Sequence, residues 1–242
     1  MSTTTSTVTK ASYSSQISLK GMIPTTITVP TPPISTTTAT LRTLYSRAAR
    51  AFLLRDIPLT HSLIESAFAV IDSPDVIPDA LADHRRKWDI LRITLESTVY
   101  SSASSHDTLP ESLQENQIQS PQSLLYALHA RSIALFSPAV EKFNASSAYL
   151  PSQVLITLVY SSLRLDCPDF SRIIIEDWLS KRDTSLQASR DGEGTGGGYE
   201  KILELYCLQV LPKLDQWDYA QDFLEYEGEL SSISREVRLA TL

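Results

Sequence analysis

Acid–base catalysis and metal binding need histidines, cysteines or paired carboxylates brought together. The four histidines, His61, His84, His106 and His129, stand singly in the sequence. None has a second histidine and a glutamate at the spacing of a zinc-hydrolase helix, so each reads as a surface or half-buried helix residue. The densest acidic group is Asp215, Asp218, Asp222, Glu225, Glu227 and Glu229. Paired acids can serve proton transfer, but on a surface helix this spacing reads as a solvated acidic face. Residues 191–198 hold five of the seven glycines. A phosphate loop would need a preceding strand and a Lys-Ser or Lys-Thr pair opening a helix. Here Arg182-Asp183-Thr184-Ser185 precedes and Tyr199-Glu200 follows, so the tract reads as a flexible linker. No Gly-x-Ser-x-Gly elbow is present. Cys167 and Cys207 form no close pair, which argues against a disulfide framework or zinc ribbon and for a reducing compartment such as the cytosol. The expectation is a chain with no catalytic residues, no metal and no cofactor, hence not an enzyme.

Arginine carries a different chemistry, that of recognition. Arg42, Arg47, Arg50 and Arg55 fall close together, and Arg85-Arg86-Lys87 follows, whereas acids outnumber bases from Tyr199 onward. Such asymmetry suits a scaffold that orients its partner by electrostatic steering. Arginine is enriched at protein interfaces, so Arg47, Arg50, Arg55, Arg85 and Arg86 are the candidate partner contacts. Their alternative role is structural pairing with Asp56, Asp83 and Asp89. A net charge of −7 argues against general nucleic-acid binding, which needs a basic face.

The elements that position these residues follow from periodicity. Residues 1–37 are rich in Ser, Thr and Pro and poor in bulky side chains, so they cannot offset their ordering entropy and are expected to be a disordered arm. The arm has no acid, like a mitochondrial presequence, but it lacks arginine and is broken by Thr31-Pro32-Pro33. Residues 38–230 form the predicted helical domain, with the linker 191–198 inside it and a tail at 231–242. Leu41, Leu44, Tyr45, Ala48 and Phe52 recur at helical spacing, giving a first helix ending near Arg55. Pro58 opens a second, with Leu63, Ile64, Ala67 and Phe68 on one face. A third carries Trp88, Leu91, Leu95 and Val99; residues 103–119 read as a loop. Ser120-Pro121 starts a fourth. Pro151 and Pro168 open the fifth and sixth, and a seventh from Tyr199 is stopped by Pro212. Trp217, Ala220 and Leu224 mark the eighth, and the sequence from Glu229 allows a short polar helix. Trp88, Trp178 and Trp217 are expected to fill the core. No glycine occurs between Met22 and Asp191, which argues against tight hairpins, and no stretch approaches the roughly 18 apolar residues of a membrane span.

The predicted fold is therefore all-α. Asp56, Asp166 and Asp215 each sit in a turn between two helices, much like the second half of a tetratricopeptide motif. Their spacings, 110 and 49 residues, are not multiples of one period. The expected architecture is thus an irregular solenoid of degenerate, tetratricopeptide-like antiparallel helix pairs.

Four stretches in order carry a family resemblance. They are Ala48 to Phe68; Tyr149-Leu150-Pro151-Ser152-Gln153-Val154-Leu155 with Val159-Tyr160-Ser161; Pro168 through Asp177-Trp178-Leu179; and Tyr199 through Leu205, with Gln209-Val210-Leu211-Pro212 and Ala220-Gln221-Asp222-Phe223-Leu224. In this order the chain resembles the peroxin-26 family of tail-anchored adaptors. The resemblance implies a non-catalytic protein that docks the peroxisomal AAA ATPase complex on the cytosolic face of the peroxisomal membrane, for recycling of matrix-protein import receptors. The implied partner is the N-terminal region of that ATPase. The family ends in a hydrophobic anchor; this sequence ends at Val237-Arg238-Leu239-Ala240-Thr241-Leu242, so membrane attachment would need an anchor that it does not contain. The alternative reading is a generic helical-repeat scaffold of another cytosolic assembly. A third, an enzyme built on scattered acids such as Asp222 and Glu225, would require a pocket holding a buried, pKa-shifted carboxylate.

Overall fold

A computed structural model describes residues 34–74, 79–102, 109–139, 145–182 and 196–241. They belong to one compact unit, and among the described residues every regular element is helical. The elements are α1 (Ile34–Leu53), α2 (Ile57–Phe68), α3 (Ala82–Ser101), α4 (Glu111–Ile118) and α5 (Pro121–Phe136). A 3₁₀ turn at Ser147–Tyr149 leads to α6 (Ser152–Arg164) and α7 (Pro168–Lys181). Then α8 (Gly196–Leu205) continues through a π-helical stretch, Tyr206–Val210, into a last turn at Leu211–Lys213. The final pair is α9 (Trp217–Tyr226) and α10 (Ser232–Thr241).

Several boundaries differ from expectation, each for a local reason. The first helix starts at Ile34, inside the span assigned to the arm. Its threonines do not break it, because Thr40 and Thr43 hydroxyls donate to the carbonyls four residues back, at 2.9 and 3.1 Å. Residues 1–33 of the arm lie outside the described residues, as do the linker's 191–195; Gly196–Gly198 open α8. The expected loop 103–119 contains α4, which has no apolar stripe but is tethered by buried Leu113 and by Asn116 donating to Glu96 at 2.7 Å. Pro212 does not stop its helix at once, since the backbone N–H of Leu211 reaches back five residues to Tyr206 and the widened turn admits the ring. The short polar helix that the sequence allows after Glu229 is α10.

Three helix–helix junctions share one geometry. At each, a residue in the left-handed region ends a helix: Arg55 (φ 61°), Asp166 (φ 56°) and Asp215 (φ 56°). The next backbone N–H bonds to the carbonyl five residues back, Asp56 to Ala51 at 2.9 Å, Cys167 to Ser162 at 3.0 Å and Gln216 to Leu211 at 3.0 Å. This is the Schellman closure, which satisfies the orphan carbonyls of a helix end. The equivalent of Asp166 and Asp215 is thus Arg55, one residue before the Asp56 that the acidic pattern picks out. Asp56 instead caps α2, its carboxylate accepting from Leu59 N–H at 3.1 Å.

The core has two parts that meet on α3. One gathers Leu41, Ala48, Leu63, Ile64, Ala67, Trp88, Leu95 and Leu113 from α1 to α4. The other joins Ile93 of α3 to α5–α9 through Leu124, Leu128, Leu155, Phe170, Trp178, Tyr206 and Leu224. With neighbours on both sides, α3 also buries polar Asp89, Glu96 and Ser97. Trp88 meets Tyr45 edge-on at 5.3 Å, and Trp178 donates its indole N–H to the Leu150 carbonyl at 3.0 Å. Trp217 departs from the expected core role and is half exposed.

Candidate docking surface

Burial of Leu41, Ala48 and Ala51 fixes the rotation of α1 against α2 and α3. At 100° per residue, that rotation turns Arg42, Thr43, Ser46, Arg47 and Arg50 outward. The same face ends in Leu53 and Leu54, which are 80% and 75% exposed. Arg55 follows in its left-handed turn, also exposed. Arg47, Arg50 and Arg55 make no ion pair with another described residue, and no acid lies on this face of α1. The result is a basic stripe with a leucine tip. The leucine pair was legible in the sequence: Leu53 and Leu54 fall off the stripe set by Leu41, Tyr45, Ala48 and Phe52. It is nevertheless absent from the arginine-based candidate set.

The other two candidates are placed differently. Arg85 is buried; its guanidinium donates to the Asp72 carbonyl and pairs with Asp79, tying the end of α2 to the start of α3. Contrary to its place among the candidate contacts, Arg85 is a structural residue with no surface to offer a partner. Arg86 pairs with Asp83 one turn away at 2.5 Å. Burial, with Lys87 and the nearby Arg42, holds the His84 imidazole below its usual range, so the start of α3 sits beside the middle of α1. Arg50 is eight residues further along α1, about 12 Å by helical rise. The five arginines therefore do not converge on one point. Arg47, Arg50 and Arg55 form the surface.

A cleft of about 530 Å³ lies between α2, α3, α4 and α5. Its floor is ionic. Arg131 donates to both Glu96 oxygens, at 3.1 and 2.6 Å, and Asn116 donates to one of them. Arg92 pairs with Asp89 and lies over the Phe68 ring, 5.0 Å from its centroid. Burial pushes the Asp89 carboxyl above its usual range, against the pull of Arg92 and Arg131. Asp89 is wholly buried and does not line the cleft, so it is no proton donor to a ligand there. At the rim, Ser112 Oγ lies 2.9 Å from His61 Nε2, the spacing of a nucleophile and its base. Glu65 approaches that same nitrogen at 3.7 Å, so hydroxyl and carboxylate compete for one atom instead of flanking the ring as a relay requires.

His129 is half-buried, stacks edge-on to Phe170 at 6.0 Å and is held below its usual range by burial; His106 lies outside the described residues. Burial raises the Cys167 thiol and pushes Cys207 up to about 12, which suppresses thiolate chemistry. Among the described residues no group of three His, Cys, Asp or Glu side chains could hold a metal, and no helix is long and apolar enough to cross a membrane. In comparisons with known proteins the chain matches no family model, no curated protein and no solved structure.

Proposed function

We propose that this chain is a non-catalytic adaptor that docks a partner protein on the outward face of α1 and its Leu53-Leu54-Arg55 tip. The observation that carries the reading is the pair of leucines, three-quarters exposed or more, beside three arginines that pair with no described residue. Apolar anchors ringed by cations match an acidic, leucine-bearing segment. Arg55 adds weight, because a non-glycine residue held at φ 61° is strained and its guanidinium points into solvent, not into the fold. The repeated Schellman junctions favour an irregular solenoid of degenerate, tetratricopeptide-like helix pairs. On the resemblance to the peroxin-26 family, the partner is the N-terminal region of the peroxisomal AAA ATPase. The place is the cytosolic face of the peroxisomal membrane, and docking there serves the recycling of import receptors. Calorimetric titration of the chain with that ATPase region tests the partner. Binding at micromolar affinity or tighter supports it; no heat at about 100 µM from folded, helical protein returns the chain to a general helical scaffold.

A further inference from the structure

The far end of the chain carries a second surface of opposite sign. Ala220 and Leu224 of α9 are buried, and Phe223 meets Tyr206 edge-on at 5.4 Å, which fixes the rotation of the helix. Around its outward side then come Trp217, Gln221, Glu225, Asp218, Asp222, Tyr226 and Tyr219 in turn. Aromatic rings stand on both flanks, with Trp217 49% and Tyr226 86% exposed, and the carboxylates form the ridge between them.

Each flank is a cup. On one side Trp217, Gln221, Glu225 and Leu239 help enclose about 320 Å³. On the other, Tyr219, Phe223 and Tyr226 line about 290 Å³. Of the nearby cations, Arg235 donates to the Glu225 carbonyl at 3.4 Å, at the C-terminal end of the ridge, and the others are held in ion pairs. Arg172 pairs with Glu176, donates to Gln216 and stands 5.5 Å over the Tyr219 ring, and Arg238 pairs with Glu200. Asp218 and Asp222 are exposed and make no ion pair with a described residue. Tyr219 has a structural partner in Arg172, but a merely solvated acidic helix has no use for the exposed rings of Trp217 and Tyr226. Exposed tryptophan and tyrosine beside a groove are the commonest anchors of protein binding.

We propose that α9 is a second docking surface, which takes a basic segment of a partner protein laid across the helix. Lysines or arginines of that segment lie over Asp218, Asp222 and Glu225, and an apolar side chain enters each cup. The charge decides the occupant: this face repels the acidic segment that suits α1, so the two surfaces select different ligands. The α9 surface stands independently of the function proposed for α1.

The test uses the full 242-residue chain and a fluorescent leucine–lysine amphipathic peptide of about 12 residues, with a leucine–glutamate counterpart. Fluorescence anisotropy gives the affinity at near-physiological salt. Two variants separate the contributions: W217A/Y226A keeps every charge, and D218N/D222N/E225Q keeps every ring. All five positions are exposed, and circular dichroism verifies that both variants stay helical. The basic peptide is expected to bind in the micromolar range, about ten-fold more weakly to either variant, and equally well to R47E/R50E. The acidic peptide is expected not to respond to the α9 variants. Wild-type affinity in W217A/Y226A would reduce the effect to general charge attraction and overturn the proposal. So would failure of the basic peptide to bind the unaltered chain at about 1 mM.

Discussion

Replacing Arg55 with glycine separates the strain of the α1–α2 turn from the work of its side chain. Arg55 holds φ 61°, where an L-residue with a full side chain loses roughly 1–2 kcal/mol. Glycine relieves that strain but gains freedom in the unfolded chain, which returns about 0.5–1 kcal/mol. The side chain is exposed and pairs with no described residue, so little else leaves the folded state. The net expectation for Arg55→Gly is a gain of about 0.5–1 kcal/mol, read as a higher urea midpoint at unchanged slope. Asp166 and Asp215 occupy the same turn at φ 56°, but aspartate tolerates this region better, so Asp166→Gly and Asp215→Gly should gain less. Partner binding should move the other way, since glycine removes one cation of the proposed docking face. A less stable Arg55→Gly, or a gain smaller than that of Asp166→Gly, would refute the reasoning.

Breaking the Glu96–Arg131 pair should be asymmetric: Glu96 is only 6% exposed and Arg131 43%, so Arg131→Ala strands a buried carboxylate beside Asp89 whereas Glu96→Ala releases an arginine to water. Losses of about 3 and 1–2 kcal/mol follow, and denaturation that ranks them in reverse contradicts the network. Trp178→Phe leaves the Leu150 carbonyl unpaired and opens a cavity where one indole ring was, together costing about 2–4 kcal/mol by the same assay; a loss below about 0.5 kcal/mol would mean that the bond contributes little. For pH, burial and Glu227 raise the Cys207 thiol to about 12 in the folded chain, and burial raises Tyr206 too. A raised folded value means that the stabilisation is complete below the unfolded thiol's value, about 8.5, and is lost as pH climbs toward 12. Stability should therefore fall between about pH 8.5 and 10.5, with a shallower fall in Cys207→Ala; identical slopes would show that the thiol plays no part.

Much of the helix content was legible because it rests on local signals. The Ser120-Pro121 start and the Pro168 opening fix the first residues of their helices, and the Leu41–Phe52 stripe finds α1 but not its start at Ile34. What escaped depends on distant partners. α4 is held by Glu96, twenty residues earlier, and so has no stripe of its own. α3 is buried on both sides, which its single visible stripe cannot announce. At the first junction the acidic pattern points one residue too far along, to Asp56, because it marks the cap of α2 there and not the left-handed Arg55. Of the arginines, the sequence identifies a cluster but not its partition. Arg85 turns inward because a backbone carbonyl and Asp79 await it, and only the fold shows this.

The central claim, that α1 and its tip form the docking face, is tested most directly by charge reversal. R47E/R50E would be titrated beside the unaltered chain against the N-terminal region of the peroxisomal AAA ATPase. Both substituted positions are exposed, so helicity should persist, with a loss of no more than about 1 kcal/mol in urea denaturation because Arg50 lies in the last turn of α1. Binding by the variant should be at least about ten-fold weaker, with less loss as salt is raised. Equal affinity of the two proteins, with the fold intact, would contradict the claim.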